Sequence, residues 1–187
     1  NYETGDVIIG DPQHMKNFVV TPDGELTGTE WSVRSWAGAW MADMAWDGEY
    51  IWQVNVLGGN GIYQMDPQTG RVVNSIAQGP WTEYPQNGLA YNPNDDTFYI
   101  AGFWDNIIYH IKGLSWDSPG EVLDQWMMWI MPCGLAYHPI ADVLIVETNS
   151  FPDEIYYVDP ASHEVICKFN HPANWESNGA GIELDAD

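Results

Sequence analysis

Two unrelated motifs recur along this chain with one common period, and that repetition limits the fold more than any other feature. Ile62-Tyr63-Gln64-Met65-Asp66-Pro67 returns as Ile155-Tyr156-Tyr157-Val158-Asp159-Pro160, with a weaker copy at Asn17-Phe18-Val19-Val20-Thr21-Pro22 and a diverged one at Ile108-Tyr109-His110-Ile111-Lys112-Gly113. Their aromatic anchors Phe18, Tyr63, Tyr109 and Tyr156 are spaced 45, 46 and 47. The second motif, Gly88-Leu89-Ala90-Tyr91-Asn92-Pro93, returns as Gly134-Leu135-Ala136-Tyr137-His138-Pro139. Asp43-Met44-Ala45-Trp46-Asp47-Gly48 fits it, and Gly181-Ile182-Glu183-Leu184-Asp185 fits it loosely, again at spacings of 45, 46 and 47. A fixed period of this length marks a repeat architecture in which each unit buries its faces against its neighbours.

Within a period the segments are short, rich in β-branched and aromatic residues, and cut by turn chemistry. The clearest repeat reads as strands over 87–93, 97–103, 106–113 and 121–126, separated at Asn94-Asp95-Asp96, Trp104-Asp105 and Ser118-Pro119-Gly120. The preceding one reads as 42–47, 50–56, 61–66 and 71–77, and the following one as 133–138, 142–149, 154–159 and 164–170. Asp-Gly, Gly-Asn-Gly and Thr-Gly are hairpin sequences because glycine accepts positive φ without strain. Gly58-Gly59-Asn60-Gly61 is therefore a hairpin turn and not a phosphate loop, since no helix follows it. Val143-Leu144-Ile145-Val146 is apolar without alternation, which requires cover on both faces. No stretch has helical periodicity. Four strands in about 45 residues is the pattern of a β-propeller blade. The expected fold is all-β, with four blade-equivalents at approximately 1–36 plus 177–187, 37–80, 81–126 and 127–176.

The ends are out of phase with the blades. Residues 6–31 read as the second to fourth strands of a blade, and 179–187 as an isolated first strand. Unpaired edges invite pairing, so Val7, Ile8 and Ile9 are expected to meet Gly181, Ile182 and Leu184. Three closures are open: a four-bladed ring within one chain, a multi-chain ring or filament by strand exchange, or a fragment of a longer propeller. The absence of an initial Met and of a leader-like segment fits either a removed leader or a piece of a longer protein.

On the blades around 88–93 and 62–70 the chain resembles the broad group of secreted bacterial β-propeller repeat proteins. The resemblance covers nearly the whole sequence and implies architecture. Similar blades occur in sugar-lactone hydrolases, streptogramin lyases, glutaminyl cyclases and non-catalytic surface proteins, so it leaves the activity open.

Charge narrows the partners. Asp and Glu number 27 against 5 Lys and Arg, a formal net charge of −22. Phosphate recognition needs clustered basic side chains, so nucleic acid is excluded as a partner, and docking on anionic lipid is disfavoured. No apolar run is long enough to span a bilayer as a helix. The acidity suits cation binding, salty surroundings or solubility. An extracellular location is expected from the missing Met and the acidic, Trp-rich composition.

Catalytic motifs are mostly missing: no nucleophile elbow, Walker loop or His-Glu-x-x-His run is present. The five histidines, His14, His110, His138, His163 and His171, are not at ligand spacing and read as turn or strand-face residues. Cys133 and Cys167 fall on the innermost and outermost strands of one blade, roughly 14 Å apart at about 4.8 Å per strand, too far for a disulfide. They are expected as two free, mostly buried thiols. Glu183, Asp185 and Asp187 alternate, so on a strand they share one face, where a calcium ion would relieve their repulsion; a solvated terminus is the plainer reading. Glu147 is placed at the wet end of its strand. Trp36, Trp81, Trp129 and Trp175 recur in the linkers before each innermost strand at spacings of 45, 48 and 46, which points to packing between blades. Trp31, Trp40, Trp104 and Trp116 are less regular and are the candidates for exposed aromatic binding of sugar or protein.

The expected function is a non-catalytic extracellular propeller, structural or ligand-binding, self-assembling through its end strands as a homo-oligomer or polymer. Two alternatives stand beside it. One is a metal-dependent lyase or lactonase with Asp43, Asp105, Glu147 and His110 at the channel mouth; the other is a carbohydrate-binding module using loop tryptophans.

Overall fold

The structure is a computed structural model that describes residues 5–38, 40–57, 59–150, 152–171 and 181–184. Among the described residues fifteen strands form four antiparallel sheets. The first sheet contains β1 (Val7–Asp11), β2 (Lys16–Val20) and β3 (Leu26–Ser32), and the second contains β4 (Trp40–Trp46), β5 (Ile51–Leu57), β6 (Gly61–Met65) and β7 (Val72–Ile76). The third contains β8 (Gln86–Asn92), β9 (Thr97–Gly102), β10 (Ile107–Lys112) and β11 (Val122–Met127), and the fourth β12 (Pro132–His138), β13 (Val143–Thr148), β14 (Glu154–Val158) and β15 (Val165–Asn170). Each sheet is a simple meander, and β4, β8 and β12 lie against one another around a common axis. This is a four-bladed β-propeller. The strands fall within one or two residues of those read from the repeat.

Burial falls from the axis outward. Every residue of β9 is buried, whereas every residue of β15 is exposed. That gradient corrects the expectation for the thiols: Cys133, on β12, is buried, but Cys167, on β15, is exposed. An outermost strand has one face turned to water, so a cysteine there has nothing to pack beneath.

The core is divided between adjacent blades. One cluster joins blades two and three through Trp52, Trp81, Leu89, Phe98 and Ile100, and another joins blades three and four through Tyr99, Trp126, Leu135, Leu144 and Val146. The continuous apolar run in β13 is explained by this arrangement. Leu144 and Val146 face blade three, whereas Ile145, between them, points to the other side with Ala136 and Ile155. Ile182 and Leu184 pack against that second cluster, so the described tail residues cover the outer face of blade four within the same chain. They lie outside any regular strand and form no ladder with β1. Within β1, Val7 and Ile9 are exposed, and Ile8 packs toward blade two.

The turns place φ as their sequences require. Gly48 (102°) and Gly70 (66°) carry positive φ in blade two, while Asp96 and Asp142, at 53° each, carry the left-handed position in the first turns of blades three and four. Short polar side chains are the usual non-glycine occupants of that region. No helix among the described residues is long and apolar enough to cross a membrane.

Candidate binding face and axial site

The innermost strands converge at one level of the axis, and the repeat dictates what stands there. Asp43, Gly88, Gly134 and Gly181 occupy equivalent positions of the second motif. Three of the four carry no side chain, and the fourth supplies a carboxylate to the space they leave. Asp43 is 5% exposed. Its Oδ2 accepts the backbone N–H of Leu89 (3.0 Å) and of Leu135 (2.8 Å), and its Oδ1 accepts that of Met44 (2.9 Å). One carboxylate thereby ties β4 to β8 and β12. A methyl group at Gly88 would stand 2.6 Å from the Cys133 carbonyl oxygen, and one at Gly181 2.8 Å from Asp43 Oδ1. Glycine is needed here for close approach, not for backbone freedom.

Further ionisable groups gather beside this centre. Glu147, on β13, is 4% exposed, with its Oε2 3.1 Å from where a side chain at Gly134 would begin. The expectation of a wet strand end is therefore corrected: Glu147 pairs across from Gly134, which has no side chain to displace it. His171 Nε2 lies 3.5 Å from Glu147 Oε1. Burial raises the Glu147 carboxyl above the ordinary range; His171 opposes this and Asp153 adds to it. Burial likewise drives Asp43 well upward against the pull of its three N–H donors, with Glu183 adding to the rise. Glu183 is exposed as a residue, and partial desolvation of its carboxyl pushes it up to about 7. The Cys133 thiol, buried and near Asp43 and Glu147, is pushed up to about 12 and accepts an N–H of the Asn87 amide at 2.8 Å. Of the three alternating tail carboxylates proposed for calcium, Asp185 and Asp187 lie outside the described residues. Among the described residues no group of three or more His, Cys, Asp or Glu is arranged to hold a metal ion.

The four residues nominated for catalysis do not come together. Asp43 and Glu147 lie near the axis. Asp105 sits in the turn between β9 and β10, where Oδ1 accepts the Ile107 N–H and Oδ2 the Tyr109 hydroxyl. His110 faces a separate cleft between blades three and four, near their opposite end, stacked 4.4 Å from Tyr99 and bonded to Thr97 Oγ1.

The ends of the sheets differ in chemistry. At the end where Trp40 pairs with Leu57 and Ile107 with Met127, the linkers and the turns between second and third strands display large apolar side chains. Trp40 is 48% exposed, Trp104 67% and Trp129 91%, and Leu57, Tyr84 and Met131 are also exposed. Trp116 lies at the opposite end, its indole N–H donated to the carbonyls of Asp95 and Asp96 and its ring under Lys112. Trp31 is a correction: only 7% exposed, it packs with Met15, Val33 and Met65 between blades one and two and rests on Gly70. The periodic set also divides. Trp81 is fully buried, Trp36 stacks on Tyr63 at 4.6 Å, and Trp175 lies outside the described residues, but Trp129 is exposed rather than packed. The signal is in the spacing: Trp36 and Trp81 precede Met44 and Leu89 by eight residues, whereas Trp129 precedes Leu135 by six. In that shorter linker Met128 fills the interblade space and the indole is left outside.

No protein-family model matches the chain, and no curated protein sequence matches it. Solved structures do. Myxococcus xanthus glutaminyl cyclase superposes with a TM-score of 0.54 and 10% identity, over 70% of this chain and 50% of that one. Kuenenia stuttgartiensis hydrazine synthase superposes with a TM-score of 0.54 and 18% identity, over 88% of this chain and 48% of that one. The chain spans about half the length of each. At these identities the likeness is one of fold, and 720 solved chains share it, so the architecture selects no single activity.

Proposed function

We propose that this chain is a non-catalytic propeller module that binds carbohydrate on the end bearing Trp40, Trp104 and Trp129. The observation that carries this reading is that these three indoles are exposed at one end of the blades. Flat, rigid aromatic faces give large contact area at low entropic cost and stack on the apolar faces of sugar rings. Exposed indoles that serve packing would be covered, and these are not. An enzymatic reading finds less support, because the nominated acids and His110 are divided between the axis, a turn and a cleft. An extracellular location suits a glycan-binding role and belongs to the proposal. Ile182 and Leu184 are seated on blade four of their own chain.

Affinity electrophoresis and calorimetry against a panel of soluble polysaccharides test the reading. The wild type is expected to be retarded by at least one of them. Trp104→Ala combined with Trp129→Ala is expected to remove that retardation while changing stability by no more than about 0.5 kcal/mol per site, as at other exposed positions. Absence of binding across the panel, or equal binding by the double variant, overturns it.

A further inference from the structure

A second site lies at the opposite end of the blades. Between blades three and four the first turns of both sheets and the last turn of blade four enclose an open cavity of about 410 Å³, lined in part by Asp95, Tyr99, His110, Asp124, Tyr137 and Asp142. Three of these are carboxylates, and no Lys or Arg lines the cavity. The Asp95 Oδ1 accepts the Thr97 hydroxyl at 2.6 Å and the Asp142 Oδ1 accepts the Tyr137 hydroxyl at 2.6 Å. The second oxygen of each is left for a ligand. Asp124 is engaged with His163, whose Nε2 is 2.8 Å from its Oδ2. Burial holds His110 below the ordinary imidazole range despite the three carboxylates around it, so it adds no positive charge at neutral pH.

Tyr99 makes this more than an acidic cluster. Its side chain is 3% exposed, held between His110 at 4.4 Å and Tyr137 at 5.5 Å. Its hydroxyl has no hydrogen-bond partner among the described residues; burial first, then Tyr137 and the cavity carboxylates Asp142, Asp95 and Asp124, raise its pKa. The ring is buried and the hydroxyl opens on the cavity, where it can donate to, or accept from, whatever occupies that space. The carboxylates are not arranged to share one metal ion. Spread negative charge around aromatic surface fits a ligand whose positive charge is also spread, with methylenes between.

We propose that this cleft binds an aliphatic polyamine, its ammonium groups donating to Asp95, Asp142 and the Tyr99 hydroxyl and its methylene chain lying on the tyrosines. Charge-assisted hydrogen bonds of this kind are the stronger ones, and the missing basic lining leaves the site no internal counter-ion.

Calorimetry with spermidine at near-physiological salt tests it, since a chain of this net charge attracts any cation diffusely and salt screens that attraction. One saturable site is expected. Asp95→Asn with Asp142→Asn is expected to weaken it by at least about tenfold, the effect of losing one or more charge-assisted bonds. Tyr99→Phe, which deletes only the hydroxyl, is expected to weaken it severalfold with the same unfolding midpoint. Non-saturable uptake, equal affinity in the double variant, displacement by magnesium at equal charge concentration, or binding of an oligolysine peptide but not of spermidine would each overturn the proposal.

Discussion

Replacing Asp43 by alanine removes the acceptor of three backbone N–H groups at once, those of Met44, Leu89 and Leu135. The Leu89 and Leu135 bonds are buried, and an orphaned buried donor costs about 1–3 kcal/mol. Allowing for partial rehydration of a small cavity, the variant should lose about 3–6 kcal/mol, a large share of the ~5–15 kcal/mol that holds an ordinary domain together. Asparagine should cost less. Its one oxygen can serve both Leu89 and Leu135 while its amide faces Met44, so about one bond is lost, near 1–3 kcal/mol. Urea unfolding followed by tryptophan fluorescence reads both, and at a slope of about 1–3 kcal/mol per molar the alanine midpoint should fall by more than about 1 M. An Asp43→Ala protein within about 1 kcal/mol of wild type would refute the claim that this carboxylate ties the inner strands together.

The same pair of proteins tests the electrostatics. Burial raises the Asp43 carboxyl above its unfolded value, so the folded state holds that proton more tightly than the unfolded chain. Its contribution to stability is complete below the ordinary carboxylate range and is lost as pH rises through the raised value. Asparagine does not titrate. The stability difference, wild type minus Asp43→Asn, should therefore shrink as pH rises above the ordinary carboxylate range. At about 1 M salt the screening length is about 3 Å, which suppresses the repulsion among surface carboxylates and leaves the buried one. A difference that grows with pH would show that the three N–H donors outweigh burial and hold the group ionised.

Four further outcomes follow from packing. Ellman's reagent should titrate one thiol in the folded protein, the exposed Cys167, and the second, Cys133, only after denaturation; two fast thiols would contradict the buried placement. Gly88→Ala should destabilise by about 1–3 kcal/mol, because the new methyl meets the Cys133 carbonyl oxygen at 2.6 Å and the Leu135 side chain at 2.8 Å. Gly24→Ala, with open space around it and φ of 82°, should show only the backbone cost of about 1 kcal/mol in chemical denaturation. The buried Asn17 amide donates to Gln53 Oε1 at 2.7 Å across blades one and two, so Gln53→Leu should cost about 1–3 kcal/mol and the double change with Asn17→Leu should recover part of it. Additive losses in that cycle would show the two amides to be independent.

The blades were legible because two motifs kept one period and because hairpin residues cut it at matching places. The ends of β8 to β11 follow from Asn94-Asp95-Asp96, Trp104-Asp105 and Ser118-Pro119-Gly120. The side chains that depart from these expectations do so for local reasons. Cys167 and Trp31 both lie on outermost strands, yet one faces water and the other blade two, and a strand's apolar pattern does not reveal which side has a neighbour. Glu147 is inward because its cross-strand partner is a glycine, a property of the pair and not of either residue. The exposure of Trp129 was legible in principle, from a linker two residues shorter than its equivalents.

That last case points to where function resides in a repeat protein. Residues that keep the period serve the repeat, and those that break it are free for another use. At the axis the break is Asp43 among three glycines. Four blades converge so tightly that a methyl group at Gly88 or Gly181 already meets atoms at 2.6 and 2.8 Å, so at this level there is room for one side chain, and the carboxylate occupies it with its oxygens committed to backbone. A ligand therefore cannot be taken into the axis at that depth as it can in wider rings. Recognition is displaced to the ends of the sheets, where Trp129 has slipped out of register at one end and the unpartnered Tyr99 hydroxyl faces acids at the other. Closing the ring with four blades and holding it with Asp43 is thus the physical reason that both proposed sites lie on the end faces.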